Sequence, residues 1–505
     1  MPGGPAATTL GQAGIWYADQ KVGGTSAFNV STVFTIDGDV AVEDVRRACR
    51  RLARAVPELR LRLGLDEWTG EVVQWLCPEP LEIHDRDRPD TPGTAPAEAS
   101  AQVPGTAPAG ASAPLDAAPA AASAGASAPA LDAAPAAASA AASASVFDAA
   151  SAAAAAWLDA EAARLFEADG GALARFAVAP VSPDRVLVGI TVHHAILDGA
   201  AQIDLARRFA ACMTREPEPR PIDGYLSATA AVRAAEEHAR TAHLPYWRER
   251  VATMTGPAHR PHSNEDGVTR RYVLHEPAVS RLESRAAELG ARVFHLLAAA
   301  VHRCVRALDP GQRVIAAATS LRPPTGEPSG CFLNQIPLAA DPADPADLPA
   351  DLADLPADLP ADLPADLPAD LPADLPALLR LNSARWTADL RHRAFPFLDL
   401  TQLTKVALDR VLVSYRRTPA RLPAGDRRTP ARLPAGDRRT PARPPAGDPR
   451  ITAELLRPYP RPKADLGIRF FHDRTLEYEV QWRPTAWPRA VERLGDDLAR
   501  CLEEV

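Results

Sequence analysis

Residues 186–210 read VLVGITVHHAILDGAAQIDLARRFA. The run VLVGITV is rich in β-branched residues and follows Ser182-Pro183-Asp184, the signature of a turn leading into a well-buried strand. The strand ends in His193-His194, a short loop reaches Asp198-Gly199, and Ile203, Leu205 and Phe209 then recur at helical spacing. A strand end feeding a loop and a helix is a common place for an α/β fold to display reactive groups. Imidazole titrates near neutral pH, so His194 suits proton acceptance from an amine or hydroxyl nucleophile. Gly199 permits close backbone approach or a positive φ, and Asp198 is placed to order the loop by pairing with a buried arginine. On the residues alone two readings stay open, because a lone histidine is more often a satisfied structural residue than a catalyst. Metal binding by the pair is disfavoured. Adjacent side chains on an extended backbone face opposite ways, and no further His, Cys or Glu set stands nearby at ligand spacing.

Strand and helix signals alternate outward from this stretch. Residues 30–36 (VSTVFTI) read as a strand and Asp37-Gly38 as a turn. Val42, Val45, Cys49 and Leu52 then repeat at helical spacing with Arg and Glu opposite. The second half repeats the style, with a helix over 293–305 and strands over 314–318, 411–415 and 476–482. A terminal helix is predicted to bury Val491, Leu494, Leu498 and Leu502. Mixed elements in both halves predict an α/β layered fold.

Three tracts break the pattern. Residues 91–150 are almost wholly Ala, Pro, Ser, Gly and Asp; 341–377 repeat DLPA; 416–448 repeat RRTPARLPAGD. Regular prolines remove amide donors, and short side chains offer little apolar area against the entropy of ordering. Repeats this short, without large apolar residues, cannot stack a solenoid core. The expectation is disordered low-complexity loop insertions, with polyproline or transient alanine helix.

The chain has 505 residues, 46% of them apolar, a formal net charge of -8 and a pI near 5.9. That length suits two compact units or one two-lobed domain. The mild acidity argues against a general nucleic-acid binder. Six widely spaced cysteines without a C-x-x-C pair give neither a zinc site nor a disulfide framework. With no signal-peptide pattern and no membrane-length apolar run, the expected setting is soluble, reducing and cytoplasmic.

HHAILDG matches the HHxxxDG signature, and the chain resembles the condensation domains of nonribosomal peptide synthesis along nearly its whole length. TLGQAGIWYADQ with Phe28-Asn29 is similar to the family's opening motif, carried by Gln12 and Trp16, and VPELRLRL resembles the second, with its arginine at Arg60. FEADGGALARFAV precedes the histidines, and PYWRER supplies Tyr246-Trp247. SGCFLNQIPL resembles the GxFxN segment with Asn334, and AFPFLDL carries Pro396-Phe397. KADLGIRF and LEYEVQW resemble the closing strands. The chain departs from the pattern at Ala200-Ala201, at Val56-Pro57 in place of a His-Glu pair, and at Ala339-Ala340 in place of an arginine.

The resemblance implies two chloramphenicol-acetyltransferase-like lobes, residues 1–225 and 226–505, in a V around a central tunnel. It implies a thioester donor on the phosphopantetheine arm of a separate peptidyl or acyl carrier protein, and a small-molecule or carrier-bound amine acceptor. No cofactor binds directly, no nucleic acid, membrane or metal is involved, and a monomer is expected. His194 would accept the acceptor's proton or orient the nucleophile and tetrahedral intermediate. His193 and Asp198 would be mainly structural, with Asp198 paired to Arg60. The Gly199 amide would be an oxyanion donor, and Asn334 would line the tunnel or brace the lobe crossing. Rival readings are an ester-forming or CoA-dependent acyltransferase on the same fold, or an inactive scaffold. Heterocyclisation is disfavoured because those members replace the histidines with aspartates, and epimerisation because the Cys331–Asn334 region resembles the condensing branch.

Overall fold

The computed structural model describes residues 4–86, 134–214, 222–259, 264–324, 329–339, 379, 385–423, 449–455, 457, 459–487 and 489–503. Two six-stranded sheets organise it. The first contains β2 (Asn29–Asp37), β5 (Ile83–Asp85), β6 (Ala174–Ser182), β7 (Arg185–His193), β12 (Arg421–Pro423) and β13 (Arg450–Glu454), in the order β12-β13-β2-β7-β6-β5. The second contains β8 (Val268–Leu274), β9 (Val314–Ser320), β10 (Leu333–Ala339), β11 (Val411–Arg416), β14 (Leu466–His472) and β15 (Leu476–Trp482), in the order β10-β9-β11-β14-β15-β8. A three-stranded sheet, β1 (Ala6–Ala7), β4 (Val72–Leu76) and β3 (Leu61–Leu65), stands beside the first. The mixed α/β architecture agrees with the sequence reading, and β15 coincides with its predicted strand.

The first sheet is apolar on both faces because helices cover both. Helix α2 (Val42–Ala55) turns Val45, Ala48, Cys49 and Leu52 inward, as the spacing predicts. Glu43 and Asp44, in its first turn, take Arg46 and Arg47 as partners on the outer face. Helix α4 (Gly199–Thr214) brings Leu205 and Phe209 to the same face, with the Phe209 and Phe34 ring centroids 4.4 Å apart. Alternate residues Val33 and Leu187 point the other way, onto Ala154 and Leu158 of α3 (Ala134–Ala163). The second sheet packs on α7 (Glu276–Glu288), α8 (Val293–Leu308) and the helix Leu494–Glu503, which bury Leu282, Leu297, Val301, Leu498 and Leu502.

Two of the tracts extend less far than expected. The 91–150 tract gives way to helix at Ala134, where alanine, the best helix former, dominates. The 416–448 tract is folded at its start, because Arg416 closes β11 and Arg421–Pro423 pair antiparallel with Glu454–Thr452 of β13. Strands β12 and β13 belong by chain position to the second half. They nevertheless extend the first sheet through β2, so a single cut at 225/226 does not follow sheet membership. The rest of these tracts, and all of 341–377, lie outside the described residues.

Candidate active site

Strand β7 is held in register with β2, so His193 faces Asn29 where the two strands end. The side chains of the two histidines have different surroundings. His193 lies among Phe28 and Phe166, with ring centroids 5.9 and 6.2 Å away. Its Nδ1 accepts from the Ala195 amide at 3.3 Å, so the neutral ring carries its proton on Nε2, 4.0 Å from the buried Asp19 carboxylate. Burial, with Lys463 adding to it, pushes the His193 pKa down to about 3. His193 is packed in the core, 1% exposed.

His194 is 6% exposed, and its Nδ1 has no hydrogen-bond partner. Its backbone is fixed, with the amide donating to Phe28 O at 2.8 Å and the carbonyl accepting from Leu197. Burial first, then Lys463, and more weakly Arg416 and His193, drive its pKa well below the usual imidazole range, with its own backbone pulling the other way. The resting ring is therefore neutral and able to accept a proton. His193 Nε2 and both His302 nitrogens are also buried without a partner, so what sets His194 apart is its place at the end of β7, ahead of Asp198 and Gly199.

The loop behind His194 is tied on every side. Gln12, set in a capping box with Thr9 at the start of α1 (Leu10–Lys21), donates through Nε2 to the Ala195 carbonyl at 2.9 Å and to Tyr225 Oη at 3.0 Å. Asp198 caps α4. Its Oδ1 accepts from the Ala200 and Ala201 amides, each at 3.0 Å, and its Oδ2 from the Phe332 amide at 3.0 Å. Its own amide donates to Gly330 O at 3.2 Å.

The arginine partner of Asp198 is Arg322, at 2.7 Å, and not Arg60. Arg322 also donates to Gly330 O and so joins the second half of the chain to the α4 N-terminus. Arg60 closes a 3-10 turn that leads into β3, and its buried Nε has no hydrogen-bond partner. The short reach of Asp198 is taken up by the segment that follows β9.

Gly199 adopts no positive φ; close approach explains it. A Cβ there would fall 2.4 Å from Cζ of Arg416. Arg416 donates to Gln202 Oε1 at 2.7 Å, and Gln202 Nε2 donates to Ser31 O and Thr32 Oγ1, at 3.2 and 3.0 Å. Asp198 engages the amides of Ala200 and Ala201 and leaves that of Gly199 free of its carboxylate.

Asn334 does not contact the histidines. Its Nδ2 donates to Arg393 O and Phe395 O, at 2.7 and 2.8 Å, and its Oδ1 accepts from the Phe397 amide at 3.2 Å. It pins the Pro396-Phe397 segment to β10. The sequence reading missed Arg322, Arg416, Lys463, Tyr459 and Gln202. Gln202 lay inside the 186–210 stretch and Lys463 inside KADLGIRF, and nothing marked either as part of the histidines' surroundings. Among the described residues no three His, Cys, Asp or Glu side chains gather as a metal site, no helix is long and apolar enough to cross a membrane, and none of the six cysteines is in a disulfide.

This is the chloramphenicol-acetyltransferase-like architecture. Within it, residues 139–364, which hold both histidines, Asp198, Gly199, Arg322 and Asn334, match the family model of the condensation domain. Among solved structures the chain is similar to the starter condensation domain of rhizomide synthetase in complex with C8-CoA and Leu-SNAC. The identity is 15% and the TM-score 0.65, over 99% of this chain and 94% of that one. It is similar to the first condensation domain of the calcium-dependent antibiotic synthetase with a substrate analogue, at 15% identity and a TM-score of 0.63, over 99% and 96%. A further structure of that synthetase's first condensation domain gives 17% identity and a TM-score of 0.60, over 100% and 96%. No curated protein matches the chain.

Proposed function

We propose that this protein joins an acyl group, delivered as a carrier-protein thioester, to an amine, with His194 at the reacting atoms. The observation that carries this is the neutral His194 ring, buried with an unpaired Nδ1 and held on a loop clamped by Gln12, Asp198 and Arg322. The amine nitrogen attacks the thioester carbonyl, the C–N bond forms, the C–S bond breaks, and the amine's proton passes through His194 to the departing thiolate. The Gly199 amide, at the positive end of α4, is a donor for the transient oxyanion. A buried, pre-set loop favours this chemistry because positioning removes much of the entropic barrier. The phosphopantetheine thiol would belong to the carrier; the similar starter domain was solved in complex with C8-CoA and Leu-SNAC.

An ester-forming reaction would use the same proton acceptor with a hydroxyl nucleophile. The test incubates the full chain with acyl-loaded carrier proteins and matched amine and alcohol acceptors, followed by mass spectrometry. Amide product supports the proposal and ester alone supports the rival. No transfer with any carrier contradicts both and favours a scaffold.

A further inference from the structure

Two cations, Lys463 and Arg416, act electrostatically on His194, and Arg416 lies against Gly199 at the end of the histidine loop. Of the basic side chains gathered there, Arg322 is paired with Asp198 at 2.7 Å and Arg469 with Glu479 at 2.6 Å. Arg416 instead donates to the neutral Gln202, lies against Gly199, and sits 5.1 Å from the Phe471 ring centroid. Lys463 places Nζ 3.7 Å from the centroid of Tyr459, a ring that also carries the Arg469 guanidinium at 4.3 Å. Among the described residues, no ion pair neutralises Arg416 or Lys463. Both keep some accessible surface deep in the protein.

An uncompensated buried charge is costly, and two of the same sign are costlier still. Among the described residues Tyr459 acts on both cations, and Asp198, already held by Arg322, acts on Arg416 more weakly. Burial raises the Tyr459 pKa, but Lys463, Arg469 and Arg416 together outweigh burial and hold the hydroxyl at about 7. The same two cations act on His194 and oppose its protonation. An anion arriving with substrate would relieve both problems at once.

We propose that Lys463 and Arg416 form a carboxylate subsite for the acceptor, so that the acceptor is a free amino acid or similar amino carboxylate rather than a carrier-bound aminoacyl thioester. This rests on the amide-forming reading above. In an α-amino acid the carboxylate lies one carbon from the amine, so seating it on these cations brings the nucleophile to His194. Its negative charge also makes an imidazolium tolerable at the moment of proton transfer. Thioester formation would remove that charge and leave the cations facing a neutral carbonyl. A carboxylate held by Arg and Lys makes charge-assisted hydrogen bonds, the stronger kind.

The test measures binding of the common amino acids and their α-carboxamides to the full chain by calorimetry and thermal shift, with no donor present. At least one acid is expected to bind about tenfold or more tightly than its carboxamide, a ratio that reports one lost charge-assisted contact. That ratio collapses in Lys463→Met and in Arg416→Gln and survives in Lys463→Arg, with urea midpoints checking that each variant folds. Equal binding of acid and amide, binding of neither, or a preference that persists in both charge-removing variants overturns the subsite. Because the readout needs no acyl transfer, a carboxylate preference without product sinks only the amide-forming reading. Product from carrier-bound aminoacyl acceptors, with no carboxylate preference, sinks only the subsite.

Discussion

Asp198 and Arg322 lie 124 positions apart in the chain and meet at 2.7 Å, directly behind the loop that presents His194. Asp198 also caps α4 and accepts from the Phe332 amide, so one carboxylate ties the histidine loop, a helix start and the second half of the chain together. Its removal strands a mostly buried guanidinium and frees the helix end. Asp198→Ala is predicted to cost about 3 kcal/mol of stability in urea unfolding, given the usual penalty for breaking a buried pair and losing a cap. Arg322→Met should cost more than Arg60→Met; the opposite order would return the structural role to Arg60.

Gly199 touches Arg416 where a side chain would begin. Alanine at a helix start ordinarily stabilises, so Gly199→Ala is predicted to leave the urea midpoint nearly unchanged while slowing acyl transfer about tenfold or more by displacing the guanidinium. Combined with Arg416→Gln, the two losses should be sub-additive, since both disturb one contact. Full additivity in the double-mutant cycle would show that Gly199 acts independently of Arg416.

His302, in α8, is fully buried with both ring nitrogens unpartnered. Burial first, then Arg306 and Arg385, pushes its pKa down to about 3, from 6.5 in an unperturbed chain. The folded state therefore excludes a proton that the unfolded chain binds. This contribution to stability is complete above about pH 6.5 and is lost progressively as pH falls toward 3. Between pH 7.5 and 5 the cost is about 2 kcal/mol for this one group. His302→Leu should flatten that part of the acid limb in urea titrations at several pH values, and an unchanged slope would contradict the assignment.

Asn334 holds the chain around Phe397 with three hydrogen bonds. Asn334→Ala is predicted to cost about 2 kcal/mol in urea unfolding. Amide exchange should rise over 393–403 and stay unchanged near the histidines. Faster exchange confined to the histidine loop would show instead that Asn334 acts in the site.

Most of the fold was legible because its signals are local. The 30–36, 186–192 and 476–482 runs declare strands by side-chain branching, and Val45, Cys49 and Leu52 declare a helix by period. Each of these comes from neighbours on one element. His194 was legible for the same reason, as the end of a buried strand. Its electrostatic setting was not, because Lys463 and Arg416 arrive from the second half of the chain. Arg60 was assigned to Asp198 by motif order alone. Motif order cannot tell which of several arginines a folded chain carries across the lobes, and Arg322 follows β9 with only Pro323-Pro324 to mark a turn. The 416–448 tract misled in the other direction. Its repeat composition disguised Arg416, the last residue of an ordinary strand, and β12, which is stabilised by its pairing with β13 rather than by its own sequence.

The most direct test of His194 as the group at the reacting atoms is a single-turnover acyl transfer from an acyl-loaded carrier protein to an amine, comparing the wild-type chain with His194→Ala and His193→Ala. The expectation is that His194→Ala folds with a near-native urea midpoint but loses about a hundredfold or more in rate, the usual worth of a positioned proton acceptor. His193→Ala, which empties a packed core position, should act mainly through stability. A wild-type rate in a folded His194→Ala protein would contradict the central claim.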